Sequence, residues 1–384
     1  MLKCYASKAH IWGKNNGCTA NPSMEMLIPS MEPNEDAQEG IAAHDLAYKI
    51  NHDLLNGGAP SPDRSKFVGK LSPNGIGITD EMLDAVEVFT GDVYDHMVKS
   101  GIFNGDYIGF EETLDIGITG VPPGKCDAFL YDYRNRELIV WDYKHGRNPV
   151  DAFEFSQGIL YVKALLEKFN VNGIEDRQTT VVIKVIQPRC YKKKSAIDEW
   201  RVKASDLRSY FNILEAKAEE AQRNPKVKTG PHCGSCNARH TCEAALKCGL
   251  NLYEMSFQSM PLNISNEALA LQYEIIERAL EQLKDIQTAY KEQIEYKLKR
   301  GESLPNYKLE PTFSRLKWVK SYDEVKYLGD LLKIDLTKKE LITPSQAVKL
   351  GIDAEVIKHY SERVQTGVKL NKINTQTAKR IFSK

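Results

Sequence analysis

Residues 124–144, GKCDAFLYDYRNRELIVWDYK, read as two β-strands, CDAFLYDY and LIVWDYK, around the polar turn RNRE. Antiparallel pairing across a turn at Arg134–Glu137 lays Asp127 and Asp142 side by side. Asp142 and Lys144 are two residues apart, so their side chains share one face of the strand while Tyr143 turns to the other. Two carboxylates and an amine at strand ends can hold Mg²⁺ or Mn²⁺, and the lysine can orient or help deprotonate a metal-bound water. That is equipment for cleaving a phosphodiester. A lone Asp-x-Lys is elsewhere an ordinary ion pair or a solvated strand edge, so the reading depends on what surrounds it.

Upstream, IGFEETLDIGI after Tyr107 is a further strand, and its parity lets only one of Glu111 and Glu112 face the acids. A helix is expected from about Asn34 to Leu55, with His44 in its middle. Thr79 is a good N-cap for a second helix, ending near Gly101, in which Met82, Val86, Phe89, Val93 and Met97 form a core stripe. Downstream come a helix from Phe153 to about Phe169, a strand TTVVIKVIQPR and a charged helix from Ser205 to about Arg223. Gln157 and Tyr161 share a face of the first of these. This order predicts an α/β fold, a mixed central sheet flanked by helices.

A second constellation is Cys233-x2-Cys236-x5-Cys242, flanked by His232, His240 and Cys248. A C-x2-C pair puts two thiolates around a soft metal. With Cys248 the segment can close a local four-cysteine zinc site; with a distant cysteine, three of its thiols can hold a 4Fe–4S cluster. Cys126 and Cys190 read as buried small residues.

The 384 residues include 42% hydrophobic and 27% charged residues, which excludes a disordered chain. No apolar run reaches membrane-spanning length and the N-terminus is too polar for a signal peptide, so a cytoplasmic protein without membrane contact is expected, its thiols reduced. The 52 basic and 52 acidic residues balance overall. Residues 1–130 nevertheless hold 9 Lys/Arg against 19 Asp/Glu, while the 47 residues from Lys338 hold 10 against 4. An acidic third suits gathered cations and a basic tail suits a polyanion. Ser265 to Lys299 reads as one long helix with Leu269, Tyr273, Ile276, Leu280 and Leu283 at heptad-like spacing, either packed on the body or free for self-association. Arg315, Lys317 and Trp318 are candidate DNA contacts by composition.

Taken together, G-x-x-A-H ending at His44, G-x-x-D ending at Asp127, D-Y-K at 142–144 and Q-x-x-x-Y at 157–161 resemble the RecB-like branch of the PD-(D/E)xK nucleases. The resemblance implies a restriction-endonuclease-like core. His44, Asp127, Asp142 and the Tyr143 backbone carbonyl would bind Mg²⁺ or Mn²⁺, Lys144 would serve catalysis, and Gln157 and Tyr161 would contact DNA. The cysteine spacing resembles the iron–sulfur staple of AddB-type and CRISPR-associated exonucleases, which implies a 4Fe–4S cluster on Cys18, Cys233, Cys236 and Cys242, with Cys4 competing for the first place and zinc the alternative metal. The segments LPNYKLEPTFSRLKW, LITPSQAVKLG and TGPHCGSCNARHTC resemble a phage-encoded family of RecB-like proteins.

Four parts are then expected: 1–105, helical, with the cluster cysteine and the metal histidine; 106–228, the nuclease core; 229–260, the cysteine segment; and 261–384, the long helix and basic extension. The implied function is a metal-dependent DNA exonuclease of phage recombination, replication or end processing, in the bacterial host cytoplasm. DNA is the expected partner, with phage recombination or single-strand-binding proteins and a second copy as further possibilities. The competing readings are a catalytically silent DNA-binding scaffold and a zinc-stapled structure-specific endonuclease.

Overall fold

The computed structural model describes residues 2–29, 33–255, 264–313, 317–338, 340–341, 343–349, 351–362 and 365–372. They fall into two compact units, Met1–Ile286 and Gln287–Lys384.

In the first unit, α1 (Glu35–Leu54) starts at Asn34, whose side chain accepts from the Ala37 N–H, and α2 (Asp80–Ser100) starts at Thr79, which accepts from the Met82 N–H. Gly101 closes α2 in the left-handed conformation that glycine adopts without strain. Five strands follow: β1 (Ile108–Leu114), β2 (Gly124–Asp132), β3 (Glu137–Tyr143), β4 (Thr180–Ile186) and β5 (Ile197–Lys203). They lie side by side in sequence order, and only β3 and β4 run parallel. The helix α3 (Ser156–Lys168) makes the crossover between those two, and α4 (Ala204–Arg223) follows β5.

The sheet is therefore mixed and covered on both faces. Ile139, Trp141 and Tyr143 of β3 pack with Leu46, Ile50, Val86, Phe89 and Val93 of α1 and α2. Leu138 and Val140 pack on the other face with Ile159, Leu165, Phe211 and the N-terminal residues Ala9 and Trp12. Period-2 alternation thus sends one strand's side chains into two cores.

A polar knot is buried within the first of these cores. Lys184 on β4 places its ammonium 2.8 and 2.9 Å from the Asp92 carboxylate and 2.9 Å from His96 Nε2, while Trp141 Nε1 donates to Asp92 at 2.7 Å. An ammonium can only donate, so His96 accepts as a neutral imidazole. Burial and then Lys184 hold its pKa below the ordinary value, against the opposite pull of Asp92 and Glu137, with Lys99 adding to the depression. Below about pH 6.5 the unfolded chain consequently binds more protons than the folded one, so stability drops as the pH is lowered through that range and is unaffected by His96 above it. Urea melts at pH 7.5 and 5.5 should show a smaller loss in His96→Gln than in the wild type; equal losses would remove His96 from this account.

After α4 the cysteine segment runs into α5 (Glu243–Met255) and the long helix α6 (Asn266–Lys299). The first unit extends into α6 to Ile286, with Ala279 buried and Arg239 Nε donating to Asp285 O at 3.0 Å. Its heptad face is exposed at Leu269, Tyr273, Ile276, Leu280 and Leu283.

In the second unit, strand Tyr307–Phe313 pairs antiparallel with Gln365–Lys372. Helix Tyr322–Leu332 begins with a Ser321/Glu324 capping box. Trp318 is half-buried against a small core of Val325, Leu336, Ala347, Ile352 and Ile357. Arg315 and the Lys317 side chain lie outside the described residues, as do residues 373–384 of the basic tail. Among the described residues no helix is long and apolar enough to cross a membrane.

Candidate active site and cysteine cluster

The β2–β3 register pairs Ala128 with Trp141 and Asp132 with Glu137, so Asp127 and Asp142 stand opposite each other one step beyond the ladder. Asp127 Oδ2 accepts from the Tyr143 N–H at 2.7 Å, which fixes the carboxylate at the open end of the hairpin. On the other side of β2 the pairing with β1 is interrupted between Phe110–Ala128 and Glu112–Cys126. Glu111, facing Asp127 there, has φ +50°, a left-handed conformation costly for a residue with a Cβ. The break alters the facing of β1. Phe110 packs toward α1 and α2, whereas Leu114, which regular alternation would put with it, packs in the opposite core. Of the two candidate acids, Glu111 turns to the site and Glu112 pairs with Lys168 at 2.5 Å.

His44 comes from the middle of α1. Its Nδ1 lies 3.3 Å from Glu111 Oε1 and 3.5 Å from Asp127 Oδ1, and one ligand atom from each of the three residues lies within 4.8 Å of the others. Burial alone would lower the imidazole pKa, but Asp127 and Glu111 outweigh it and raise it to about 9. Burial pushes the Asp127 carboxyl up, Asp142 adds to this, and His44 and Lys144 oppose it. Tyr143 is buried edge-on to His44 and stacked on Phe89, each at 5.4 Å, with its hydroxyl 2.8 Å from His145 Nδ1.

Asp142 is 2% exposed. Lys144 Nζ stands 2.8 Å from its Oδ2, so the ammonium is the counter-ion of this buried carboxylate. Hard oxygen donors with one imidazole suit Mg²⁺ or Mn²⁺, so these residues fit the implied metal. Gln157 Oε1 accepts from Lys144 Nζ at 3.5 Å, and Gln157 Nε2 donates to the Tyr161 hydroxyl at 3.2 Å. Tyr161 itself is buried, with its ring packed so closely under Gly124 that a Cβ there would lie 2.7 Å from it. The pair therefore acts on Lys144 in this structure. Lys125, not singled out from sequence although it lies inside the deciding stretch, holds Glu111 Oε2 at 2.7 Å. A cavity of about 700 Å³, lined by Gly40, Ile41, His44, Tyr48, Glu111 and Lys125 among others, opens beside the carboxylates.

The cysteines of the second constellation meet the N-terminal segment. Cys18, Cys236 and Cys242 are buried and Cys233 is half-buried. Burial raises the Cys233 thiol pKa most; the Gly230 N–H lowers it, and the neighbouring Cys236, Cys18 and Cys242 raise it further. Cys18, Cys236 and Cys242 thus all lie near Cys233. Asn21 Nδ2 donates to Cys236 Sγ at 3.3 Å and the Gly230 N–H donates to Cys233 Sγ at 3.4 Å. Such donors stabilise sulfur that carries negative charge. One backbone and one side-chain bond tie the N-terminal segment to the chain around the cysteines: the Ala20 N–H donates to Lys226 O at 3.1 Å, and the Asn237 N–H donates to Glu25 Oε1 at 2.8 Å. By their chemistry four soft donors suit zinc or an iron–sulfur cluster, and no three of these sulfurs lie within 4.8 Å of one another. Cys4 is elsewhere, buried in the core beside Gln222. Cys126 and Cys190 are buried as expected for small residues, and the Cys248 side chain lies outside the described residues.

A family model described as "Protein of unknown function (DUF2800)" matches residues 4–380. A solved structure titled "Crystal structure of SSO0001" is 14% identical, covers 59% of this chain and 94% of its own, and superposes with a TM-score of 0.22. A comparison with curated proteins finds no match.

Proposed function

The chain belongs to the family described as Protein of unknown function (DUF2800), and we propose that it is a metal-dependent DNA exonuclease with a RecB-like PD-(D/E)xK core. The observation that carries the reading is the convergence of His44, Glu111 and Asp127 within 4.8 Å, beside a buried Asp142 paired with Lys144. No structural need of the hydrophobic core calls for three acids at one strand end. The mixed five-stranded sheet with helices on both faces is consistent with a restriction-endonuclease-like core.

His44, Asp127, Asp142 and the Tyr143 carbonyl hold Mg²⁺ or Mn²⁺ in this reading, with Glu111 as a further acid. Such an ion supplies Lewis acidity at the phosphate and lowers the pKa of water. Lys144, kept as a cation against burial by Asp142 and Asp127, would orient the attacking water and offset the negative charge that develops at the phosphate, and Gln157, braced by Tyr161, holds the lysine in register. Lys125 keeps Glu111 in place from the solvent side. Cys18, Cys233, Cys236 and Cys242 carry a 4Fe–4S cluster that ties the chain's start to the segment after the core. The substrate is DNA in phage recombination, replication or end processing.

End dependence is the test. With Mn²⁺ or Mg²⁺, the protein should degrade end-labelled linear DNA progressively from its ends and leave covalently closed single-stranded circles intact. Efficient cutting of circles would make it an endonuclease. Binding without cleavage of either, in every divalent metal, would leave a silent scaffold.

A further inference from the structure

Lys192, Lys193 and Lys194 lie on the loop after β4, which leaves the sheet at the same end as the active site, since the Lys144 N–H donates to Ile186 O at 2.8 Å. The middle lysine is used internally. Its Nζ donates to Val150 O and stands 2.9 Å from Asp198 Oδ2 and 3.6 Å from Asp151 Oδ1. Buried Gln187 fastens this loop to the one after β3, donating to Gly146 O at 2.8 Å and Asn148 O at 2.6 Å and accepting from the Val150 N–H at 3.1 Å. Arg189 anchors the assembly to α1 through Glu39 at 2.9 Å. The two loops therefore form one braced platform beside the metal residues.

What the platform presents to solvent is mainly basic and aromatic. Arg147, Lys192 and Lys194 are exposed and make no ion pair among the described residues. Tyr191 is 82% exposed and Phe153 64%. Of the acids here, Glu154 accepts from the Tyr210 hydroxyl at 2.8 Å, and Asp151, 3.6 Å from Lys193, is a single exposed carboxylate against three exposed cations. Cations interleaved with exposed aromatic rings match a ligand that alternates anionic phosphates with flat bases, and stacking requires those bases to be unpaired.

We propose that the loops 145–153 and 190–194 form the track along which single-stranded DNA reaches the active site, with Arg147, Lys192 and Lys194 on phosphates and Tyr191 and Phe153 stacked on bases. The assignment rests on the nuclease reading, and binding can be measured apart from cleavage. The probe is a fluorescein-labelled oligothymidylate followed by anisotropy in EDTA, over a series of salt concentrations.

Three phosphate contacts contribute about two units to the slope of log affinity against log salt for a single strand. The variant carrying Arg147→Ala, Lys192→Ala and Lys194→Ala should therefore lose about two units of slope and at least tenfold in affinity, with an unchanged melting temperature. Tyr191→Ala should weaken binding several-fold and Tyr191→Phe should restore it. A triple variant with wild-type affinity and slope overturns the track even if the wild type cleaves DNA. A wild type that binds through these residues yet cleaves nothing overturns the nuclease reading and leaves the track standing. Tighter binding of a duplex of equal length, with Tyr191→Ala neutral, would overturn the single-strand assignment.

Discussion

Lys144→Ala and Asp142→Asn are each expected to lower the single-turnover rate of DNA cleavage by about 10³-fold, the scale of losing a positioned proton-transfer or charge-stabilising group. Lys144 is the only lysine that reaches Asp142 among the described ion pairs, and its place is fixed by Gln157 and by the Phe155 ring 5.5 Å away. Asp142→Asn keeps the shape of the side chain and removes one negative charge from a cluster that includes Asp127 and Glu111. The metal-free protein should therefore melt within a few degrees of the wild type, because relief of like-charge repulsion offsets the lost ion pair. Lys144→Ala leaves the Asp142 carboxylate buried without its cation, so Lys144→Gln should accompany it as the variant that separates folding from chemistry. Rates with enzyme in excess, together with oligonucleotide affinity in EDTA, measure the two effects independently. Cleavage by Asp142→Asn or Lys144→Gln at near wild-type rate would remove these residues from the active site.

The second large effect concerns Cys18. Anaerobically purified protein should be brown and contain iron and sulfide, and Cys18→Ala should lose the colour while Cys4→Ala keeps it, since Cys4 sits in the core beside Gln222. Cys18 and Cys233 are 215 residues apart. A cross-link closing so long a loop is worth on the order of 5 kcal/mol in the chain-entropy relation used for disulfides. For a protein of this size, loss of the cluster should lower the melting temperature by about 6 °C. A colourless protein with one zinc per chain would replace the cluster with a zinc staple. A Cys18→Ala protein that keeps its iron would move the fourth ligand elsewhere.

Much of the fold could be read where local signals are strong. The hairpin was legible because its turn residues and apolar runs fix the register, and Asn34 and Thr79 cap their helices as their side-chain oxygens suggest. Strand β5, IDEWRVK, was missed: it lies at the sheet's edge, half-exposed, and its charged residues mask the alternation. The choice between Glu111 and Glu112 needed the broken pairing at Glu111, which no composition rule reveals. The Asp92–Lys184–His96 knot joins residues about ninety positions apart, beyond any local periodicity. For the candidate site, spacing within each motif was visible, but Lys125 and the bracing by Gln187, Lys193 and Arg189 appear only once the loops are folded together.

The most direct test of the central claim is release of labelled nucleotide from linear DNA by the purified protein, with Mn²⁺ and then with excess chelator. The account predicts release with the metal that stops on chelation and resumes when Mn²⁺ is restored. Absence of release with either Mn²⁺ or Mg²⁺, from a protein that is folded and binds DNA, would contradict it.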